Sequence, residues 1–347
     1  MTIETEVESR AVGAYLGLAV GDALGATVEF MTPREIRAHF GVHDTIRGGG
    51  WLKLKPGQVT DDTTMALALG EAILRAGRTD ARECALAFDA WMRAKPIDIG
   101  NTVRRGIVHF RSTGQTSTPL REDDAGNGAC MRCLPVALVT FGLPEEQVRA
   151  ACRAQAHVTH HNRLSDAATE LVVRMVQRAL AGGGIRQLLR ECVQPLVTAQ
   201  PAFRFRTRRL DNPSGYIVET MRAVLQALFE TDSFGACLVD VVNRGGDADT
   251  TGAIAGMIAG ALYGPQAIPT RWTNALEPAV RQTCERQARA LIAGNHGVAR
   301  AMRGCQVRLA TREGEGDGIP RRARIKPVTV AELRLGEDWS ERRKATG

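Results

Sequence analysis

Glycines recur at every fourth position in two separate stretches of the chain, and this spacing constrains the fold more than any other feature. The two sets are Gly13, Gly17, Gly21 and Gly25, and Gly252, Gly256, Gly260 and Gly264. A four-residue interval places each set on nearly one face of a helix, leaving a flat ridge on which another backbone can pack. Glycine costs a helix about 1 kcal/mol relative to alanine, so four in register imply a packing reason. We predict two central helices packed through their glycine faces.

An acidic cluster accompanies each glycine stretch. Both clusters contain two aspartates beside a threonine, next to an apolar run of small residues. Their members are Thr60, Asp61, Asp62, Asp247, Asp249 and Thr250. Neighbouring carboxylates raise one another's pKa unless a cation lies between them, and hard oxygen ligands suit Mg²⁺ or Mn²⁺ better than zinc. We therefore predict that the glycine helices bring both clusters into one site for a pair of divalent cations.

Two further acids are candidates for proton transfer at such a site. Glu29 closes the first glycine stretch, and Asp98 lies between isoleucines beside turn-forming residues. A metal pair that polarises a sugar still needs an acid to take a proton from water or to protonate the leaving group. A structural interpretation stays open for each: a helix N-cap for Asp98, and a cap or buried ion pair for Glu29 and for Asp22.

The composition favours a helical globular protein. Aromatic residues make up only 5% of the chain, whereas 36 glycines and many alanines allow close helix packing. The net charge is +7, and 11 basic against 7 acidic residues in 301–347 leave a nearly balanced body, which argues against a nucleic-acid platform. Eight scattered cysteines without a signal peptide indicate reducing cytoplasm, and the Cys130–Cys133 pair is predicted to be two buried thiols.

The chain divides into three predicted segments. Residues 1–9 are polar and predicted to be frayed, residues 10–300 form the main domain, and residues 301–347 form a basic extension predicted to be flexible. Within the domain, prolines and glycines without sustained periodicity predict one long loop over residues 31–57. The apolar runs are too short and too glycine-rich to span a bilayer.

Three of the seven histidines, His157, His160 and His161, lie close together in the sequence. Metal binding is one interpretation of this cluster. Imidazole prefers softer ions than those the oxygen clusters select, so contact with a substrate is the favoured interpretation.

At these residues the chain resembles the ADP-ribosylglycohydrolases. The similarity covers roughly residues 10–300 and rests on six short motifs in the family's order. They are Gly21-Asp22-Ala23-Leu24-Gly25 through Glu29, Thr60-Asp61-Asp62-Thr63, Asp98-Ile99-Gly100, Asn127-Gly128, Thr159-His160 and Gly245-Gly246-Asp247-Ala248-Asp249-Thr250. Within the family, the segment from Arg47 to Gln58 is most similar to the bacterial dinitrogenase reductase-activating glycohydrolases.

The resemblance implies an all-α fold, a compact multi-helix bundle with a central binuclear manganese or magnesium site. It implies hydrolysis of the N-glycosidic bond between ADP-ribose and an arginine side chain, which would reactivate the nitrogenase iron protein. The implied metal ligands are Thr60, Asp61, Asp62, Asp247, Asp249 and Thr250. Glu29 would lie near the first metal and Asp98 would be the acid/base residue. The implied substrate contacts are Asn101, Asn127, Gly128, His160 and Tyr216.

The resemblance also implies regulation by PII signalling proteins and recruitment to an ammonium-transporter membrane complex. A cytoplasmic enzyme without an anchor of its own would then associate reversibly with the membrane through its partner. Three alternatives remain: hydrolysis of another ADP-ribosyl linkage, such as a serine-linked or free metabolite; a non-catalytic structural protein of the same fold; and an unrelated two-metal phosphohydrolase.

Overall fold

The computed structural model describes residues 3–295, and within this range the chain is helical, with no β-strand. The helices are α1 (Ile3–Gly25), α2 (Pro33–Phe40), α3 (Asp61–Ala76), α4 (Ala81–Arg93), α5 (Asn101–Thr113), α6 (Gly128–Met131), α7 (Leu134–Val139), α8 (Glu145–Ala156), α9 (Arg163–Leu180), α10 (Ile185–Gln187), α11 (Gln194–Ala199), α12 (Ile217–Glu230), α13 (Phe234–Val242), α14 (Ala248–Tyr263), α15 (Thr270–Ala275) and α16 (Pro278–Ala293). A π-helical segment, Leu188–Val193, joins α10 to α11. The predicted all-α fold is confirmed.

Helices α1 and α14 lie antiparallel at the centre and pack through their glycine faces, as predicted. The facing pairs, with the distance from a Cβ built on the α1 glycine to the nearest carbonyl oxygen, are Gly13–Gly260 (2.5 Å), Gly17–Gly256 (2.1 Å), Gly21–Gly252 (2.0 Å) and Gly25–Ala248 (2.1 Å). Real side chains do not approach a backbone so closely, so only glycine fits on this face of α1. Gly264 is not part of this contact face. It ends α14 as the C-cap, with a φ of 79°, a conformation that favours glycine.

The central pair is covered on all sides by other helices. Residues from Gly252 to Ala261 of α14 are all buried and carry no polar side chain, the pattern of a helix that is apolar around its whole circumference. Helices α9, α12 and α13 pack on α14, and α16 packs on α1. The N-termini of α3 and α14 are thereby held beside the C-terminal end of α1.

Two local predictions differ from the structure. Residues 1–9 were predicted to be frayed, but α1 already begins at Ile3, with Glu4 and Glu6 in its first turn, where acidic side chains stabilise a helix. The predicted loop 31–57 contains α2, which starts with a capping box. Thr32 Oγ1 accepts a hydrogen bond from the Glu35 amide at 3.3 Å, and the Glu35 carboxylate accepts one from the Thr32 amide at 2.7 Å.

All described residues belong to one compact unit. The predicted basic extension, residues 301–347, lies outside the described residues. Cys130 and Cys133 are buried free thiols, as predicted. In the part of the chain that the structure describes, every helix is too short or too polar to cross a bilayer.

Candidate metal centre

The two acidic clusters meet in space. Asp61 is the first residue of α3, and Asp249 lies in the first turn of α14. A long hydrogen bond of 3.4 Å joins Thr250 Oγ1 to Asp62 Oδ2 across 188 residues of sequence. The packing of α1 against α14 therefore assembles one site from distant segments, as the glycine spacing predicts.

A cavity of about 510 Å³ opens over this junction. Its carboxylates are Glu29, Asp61, Asp98, Asp247 and Asp249. Ile99, Val103 and Met131 form apolar parts of its wall, and no lysine or arginine is among its described lining residues. The cavity therefore gathers carboxyl groups without a lysine or arginine in its described lining to balance their charge.

Burial raises the pKa of these carboxyl groups. It raises the pKa of Asp61 to about 8, and the charges of Asp98 and Asp22 add to the effect. It also raises the pKa of Glu29 to about 8, although a hydrogen bond from Trp51 acts in the opposite direction. The carboxylates repel one another in a dry site, so a bound cation would stabilise their ionised forms.

The donor set fits hard divalent cations. Carboxylate oxygens of Glu29, Asp98 and Asp249 lie within 4.8 Å of one another. Asp62 Oδ1 is buried without a hydrogen-bond partner, which is costly for an ionisable oxygen and would be relieved by a cation. Oxygen ligands of this kind are those that Mg²⁺ and Mn²⁺ prefer. The individual assignments of the six predicted ligands stay predictions.

Asp22, in α1, holds the first acidic cluster in place through hydrogen bonds to Thr60 and Thr63. Its buried carboxylate accepts hydrogen bonds from the amides of Thr60 and Thr63, each at 3.0 Å, and from both hydroxyls, at 3.0 and 2.5 Å. Burial raises the pKa of Asp22 to about 6, while these four hydrogen bonds lower it. The Asp22 carboxylate thus caps the first turn of α3, in agreement with the cap interpretation, and fixes the backbone where α3 begins.

Asp98 belongs to the cavity and is not a helix cap. The N-cap of α5 is Gly100, whereas Asp98 Oδ1 accepts a hydrogen bond of 2.7 Å from the amide of Ile99. The side chain is half-buried, and burial raises its pKa. The structural alternative for Asp98 is therefore wrong, and its position suits proton transfer.

Asn127 holds an acid of the second cluster. Its Nδ2 donates to Asp247 Oδ2 at 2.5 Å and to Thr220 Oγ1 at 2.9 Å. Both amide hydrogens are thus used, so only Oδ1 remains for a ligand. The predicted substrate contact is also a support for a predicted metal ligand.

His160 lies against the glycines on either side of Asn127. A Cβ on Gly128 would lie 2.7 Å from His160 Cε1, and one on Gly126 would lie 3.1 Å from Nε2. These glycines leave the room that the imidazole occupies in the cavity wall. Burial, together with the charges of Arg132 and Arg105, lowers the pKa of His160 to about 3, so the ring is neutral at physiological pH.

Other predicted contacts are placed differently. Asn101 lines the cavity as an exposed residue at the start of α5. Tyr216 is 43% exposed and is not among the lining residues. His157 and His161 are not among the lining residues. Their rings stack on each other with centroids 3.9 Å apart, and His157 Nε2 lies 2.9 Å from Asp166 Oδ2.

Sequence reasoning missed an aromatic pair at the cavity mouth. The rings of Phe30 and Trp51 lie 5.4 Å apart and are 63% and 52% exposed. Trp51 Nε1 donates a hydrogen bond of 2.6 Å to Glu29 Oε2. The sequence signal was the run of three glycines, Gly48 to Gly50, directly before Trp51. In the structure each of them has a positive φ. Gly50 also lies so close to Ala26 that a Cβ on Gly50 would be 2.4 Å from the Ala26 carbonyl oxygen.

Comparisons with known proteins agree with this arrangement. A family model for ADP-ribosylglycohydrolase matches residues 3–301. The chain is 50% identical over 287 residues, 83% of its own length and 97% of the relative's, to the ADP-ribosyl-[dinitrogen reductase] glycohydrolase of Rhodospirillum rubrum. It is 33% identical over 286 residues to the ADP-ribosylarginine hydrolase Tri1 of Serratia proteamaculans (strain 568), with 79% and 76% coverage. A solved chain named ADP-ribosylglycohydrolase-related protein complex superimposes with a TM-score of 0.74 at 36% identity, over 84% of this chain and 99% of that one.

Proposed function

The chain belongs to the ADP-ribosylglycohydrolase family, and from that premise we propose that it removes ADP-ribose from an arginine side chain of a target protein. The target we propose is ADP-ribosylated nitrogenase iron protein, which would regain activity when ADP-ribose is released. The similarity to the Tri1 ADP-ribosylarginine hydrolase supports the arginine linkage, and the similarity to the R. rubrum glycohydrolase supports the target. The observation that carries the proposal is the cavity itself, where carboxylates from separate parts of the chain converge and where no lysine or arginine of residues 3–295 is in the lining.

We propose a pair of Mn²⁺ or Mg²⁺ ions as the cofactor. The residues that would hold them are Thr60, Asp61, Asp62, Asp247, Asp249 and Thr250, with Glu29 close by. Such ions supply positive charge and Lewis acidity toward the oxygens of the ribose. The unpartnered Asp62 Oδ1 and the raised pKa values of the buried acids support this assignment.

Asp98 is the proposed acid/base residue, with Glu29 as its neighbour. The amide of Ile99 fixes Asp98 Oδ1, so the orientation of the carboxylate is set before the substrate arrives. In hydrolysis, water attacks the anomeric carbon, its proton passes to a carboxylate, and the bond to the guanidine nitrogen breaks as that nitrogen gains a proton. Asp98 would accept the first proton or supply the second.

The mouth of the cavity favours an arginine linkage. Phe30 and Trp51 expose their rings at this mouth, and aromatic faces attract a planar guanidinium. Asn101, Asn127, Gly128 and His160 line the cavity and are the proposed contacts of ADP-ribose. The further contact predicted for Tyr216 would require a ligand that extends beyond the lining residues.

We also propose that the enzyme acts in the cytoplasm and is regulated by a PII signalling protein and an ammonium-transporter membrane complex. This part rests on the family resemblance. Co-purification of the full chain with either partner from nitrogen-fixing cells, before and after addition of ammonium, tests it, and the absence of both partners under each condition would contradict it.

The test of the hydrolysis is direct. Purified protein is incubated with Mn²⁺ and ADP-ribosylated iron protein, and released ADP-ribose is measured. Arginine-linked and serine-linked ADP-ribosyl peptides are compared under the same conditions. We expect release from the iron protein and the arginine-linked peptide. Release from the serine-linked peptide alone would move the function to another linkage, and free phosphate as the product would indicate a phosphohydrolase.

A further inference from the structure

A fully buried arginine lies beside the site. Arg132 has 0% exposure, and its guanidinium lies 4.1 Å from the centroid of the Phe88 ring. Nε and Nη2 donate to the side-chain and main-chain oxygens of Gln155 at 2.9 and 3.0 Å. These hydrogen-bond partners are neutral, and burial lowers the pKa of Arg132 to about 9 although the charge of Asp61 acts in the opposite direction. A buried charge held by neutral partners is expensive. Its position therefore calls for a reason beyond packing.

Arg132 also contacts Thr159, which in turn contacts His160. Arg132 Nη2 donates to Thr159 Oγ1 at 2.8 Å, and the same oxygen lies 2.8 Å from His160 Nδ1. A guanidinium can only donate hydrogen bonds, so the threonine oxygen accepts from Arg132. The hydroxyl proton of Thr159 is then available to His160 Nδ1, and in that direction Nδ1 is the acceptor.

This chain of donors selects one tautomer of His160. A neutral imidazole carries a single proton, and the nitrogen that accepts a hydrogen bond is the one without it. With Nδ1 accepting from Thr159, the proton lies on Nε2. That nitrogen is 3.0 Å from a Cβ built on Gly128, on the side of the ring that borders the cavity.

We propose that Thr159, held by Arg132, is a positioning residue that fixes His160 as an Nε2–H donor toward an oxygen of the ADP-ribosyl group. The ligand half of this inference rests on the proposed function. A donor of fixed direction selects ligands with an acceptor at that point, because a second donor there would leave both groups buried and unpaired. Arg132 acts through Thr159 and does not touch the ligand.

The tautomer can be measured without any ligand. NMR of the full chain with ¹⁵N-labelled histidine distinguishes a protonated Nδ1 from a protonated Nε2, and a His160→Gln variant identifies the signals of this residue. We expect the wild-type protein to carry the proton on Nε2. Thr159→Val keeps the shape but removes the hydroxyl, so the Nδ1 tautomer should become populated. Thr159→Ser, the matched control, should keep the wild-type signals.

Binding and kinetics test the ligand half. For Thr159→Val we expect the Kd of ADP-ribose and the KM of the ADP-ribosylated substrate to rise about tenfold, the effect of one mispositioned hydrogen bond, with kcat changed less than about threefold. Thr159→Ser should restore both constants. Equal losses in the two variants would indicate a packing role and contradict the inference.

The outcomes separate this inference from the proposed function. A wild-type His160 protonated on Nδ1, or unchanged histidine signals in Thr159→Val, would overturn the inference even in an active hydrolase. A protein with the Nε2 tautomer that releases no ADP-ribose from arginine would contradict the proposed function while leaving the tautomer assignment in place.

Discussion

Two kinds of aspartate serve the site: those that line the cavity, and Asp22, which holds the backbone beside it. Asp98 and Asp249 present oxygens to the cavity within 4.8 Å of Glu29. Asp22 instead uses its carboxylate to hold Thr60 and Thr63. Removal of an acid should therefore affect catalysis in the first group and the stability of the fold in the second.

Asp98→Asn should lower kcat for ADP-ribose release at least about 100-fold, because an amide cannot exchange the proton. The thermal midpoint should stay within a few degrees of that of the wild type, since the amide of Ile99 can still donate to the side-chain oxygen. Asp123→Asn is the matched control, at a side chain that is 77% exposed, and should retain full activity. Near-normal turnover by Asp98→Asn would contradict the assignment.

Asp22→Asn should destabilise the fold by about 2–4 kcal/mol. The amide group would present a donor to the amides and hydroxyls of Thr60 and Thr63, which leaves buried donors unpaired. Urea unfolding followed by circular dichroism measures the loss. An unchanged urea midpoint would show that these four hydrogen bonds do not stabilise the start of α3.

Among the elements, α1 and α14 determine whether a site exists. Each carries one half of the central glycine contact, and the C-terminal end of α1 meets the N-terminal end of α14, where Gly25 faces Ala248. The second acidic cluster starts at this junction. The distance between α1 and α14 therefore also sets the distance between the two acidic clusters.

Gly17→Ala tests this coupling. The added Cβ would lie 2.1 Å from the carbonyl oxygen of Gly256, so the helices must separate. We expect a loss of about 3 kcal/mol in stability, at the upper end for overpacking, and a loss of hydrolysis in the protein that remains folded. Gly235→Ala in α13 is the control, because its nearest neighbour would be Pro269 Cγ at 3.8 Å. Equal effects of the two substitutions would contradict the close-packing argument.

At the scale of the whole molecule, the buried acids link protonation to stability and to the proposed binding of metal ions. Asp61 and Glu29 have unfolded pKa values near 3.8 and 4.5, and burial raises both to about 8 in the folded state. The folded protein therefore binds more protons than the unfolded chain between these limits. Its stability without metal should fall as the pH rises through this window.

Thermal unfolding in EDTA should give a lower midpoint at about pH 8 than at about pH 5.5. Added Mn²⁺ should raise the midpoint more at the higher pH, because the ions then displace fewer protons from the carboxyl groups. Asp61→Asn should weaken this pH dependence, whereas the surface substitution Asp123→Asn should retain it. An equal effect of Mn²⁺ at both pH values would contradict a metal site built from these carboxylates.

Local patterns predicted the parts of the molecule that local rules govern. The four-residue glycine interval predicted the central helix pair, and paired aspartates predicted the acidic clusters, because both are periodic or adjacent in sequence. The hydrogen bond from Trp51 to Glu29 and the contacts of Arg132 join residues that are distant in sequence. These residues follow no periodic pattern, so the sequence did not predict their contacts. Helix α2 was not predicted, because its two turns are too short to show a clear periodicity. Its capping box, Thr32 and Glu35, was nevertheless present in the sequence.

The separation of 188 positions between Asp62 and Thr250 also matters while the protein is being made. Because synthesis runs from the N-terminus, α1 and the first acidic cluster are made before α14, the helix against which the glycine face of α1 packs. A stalled or truncated product that ends before α14 has half of each contact and no hydrolytic centre. The cell thus obtains this activity only from a polypeptide synthesised through its last central helix.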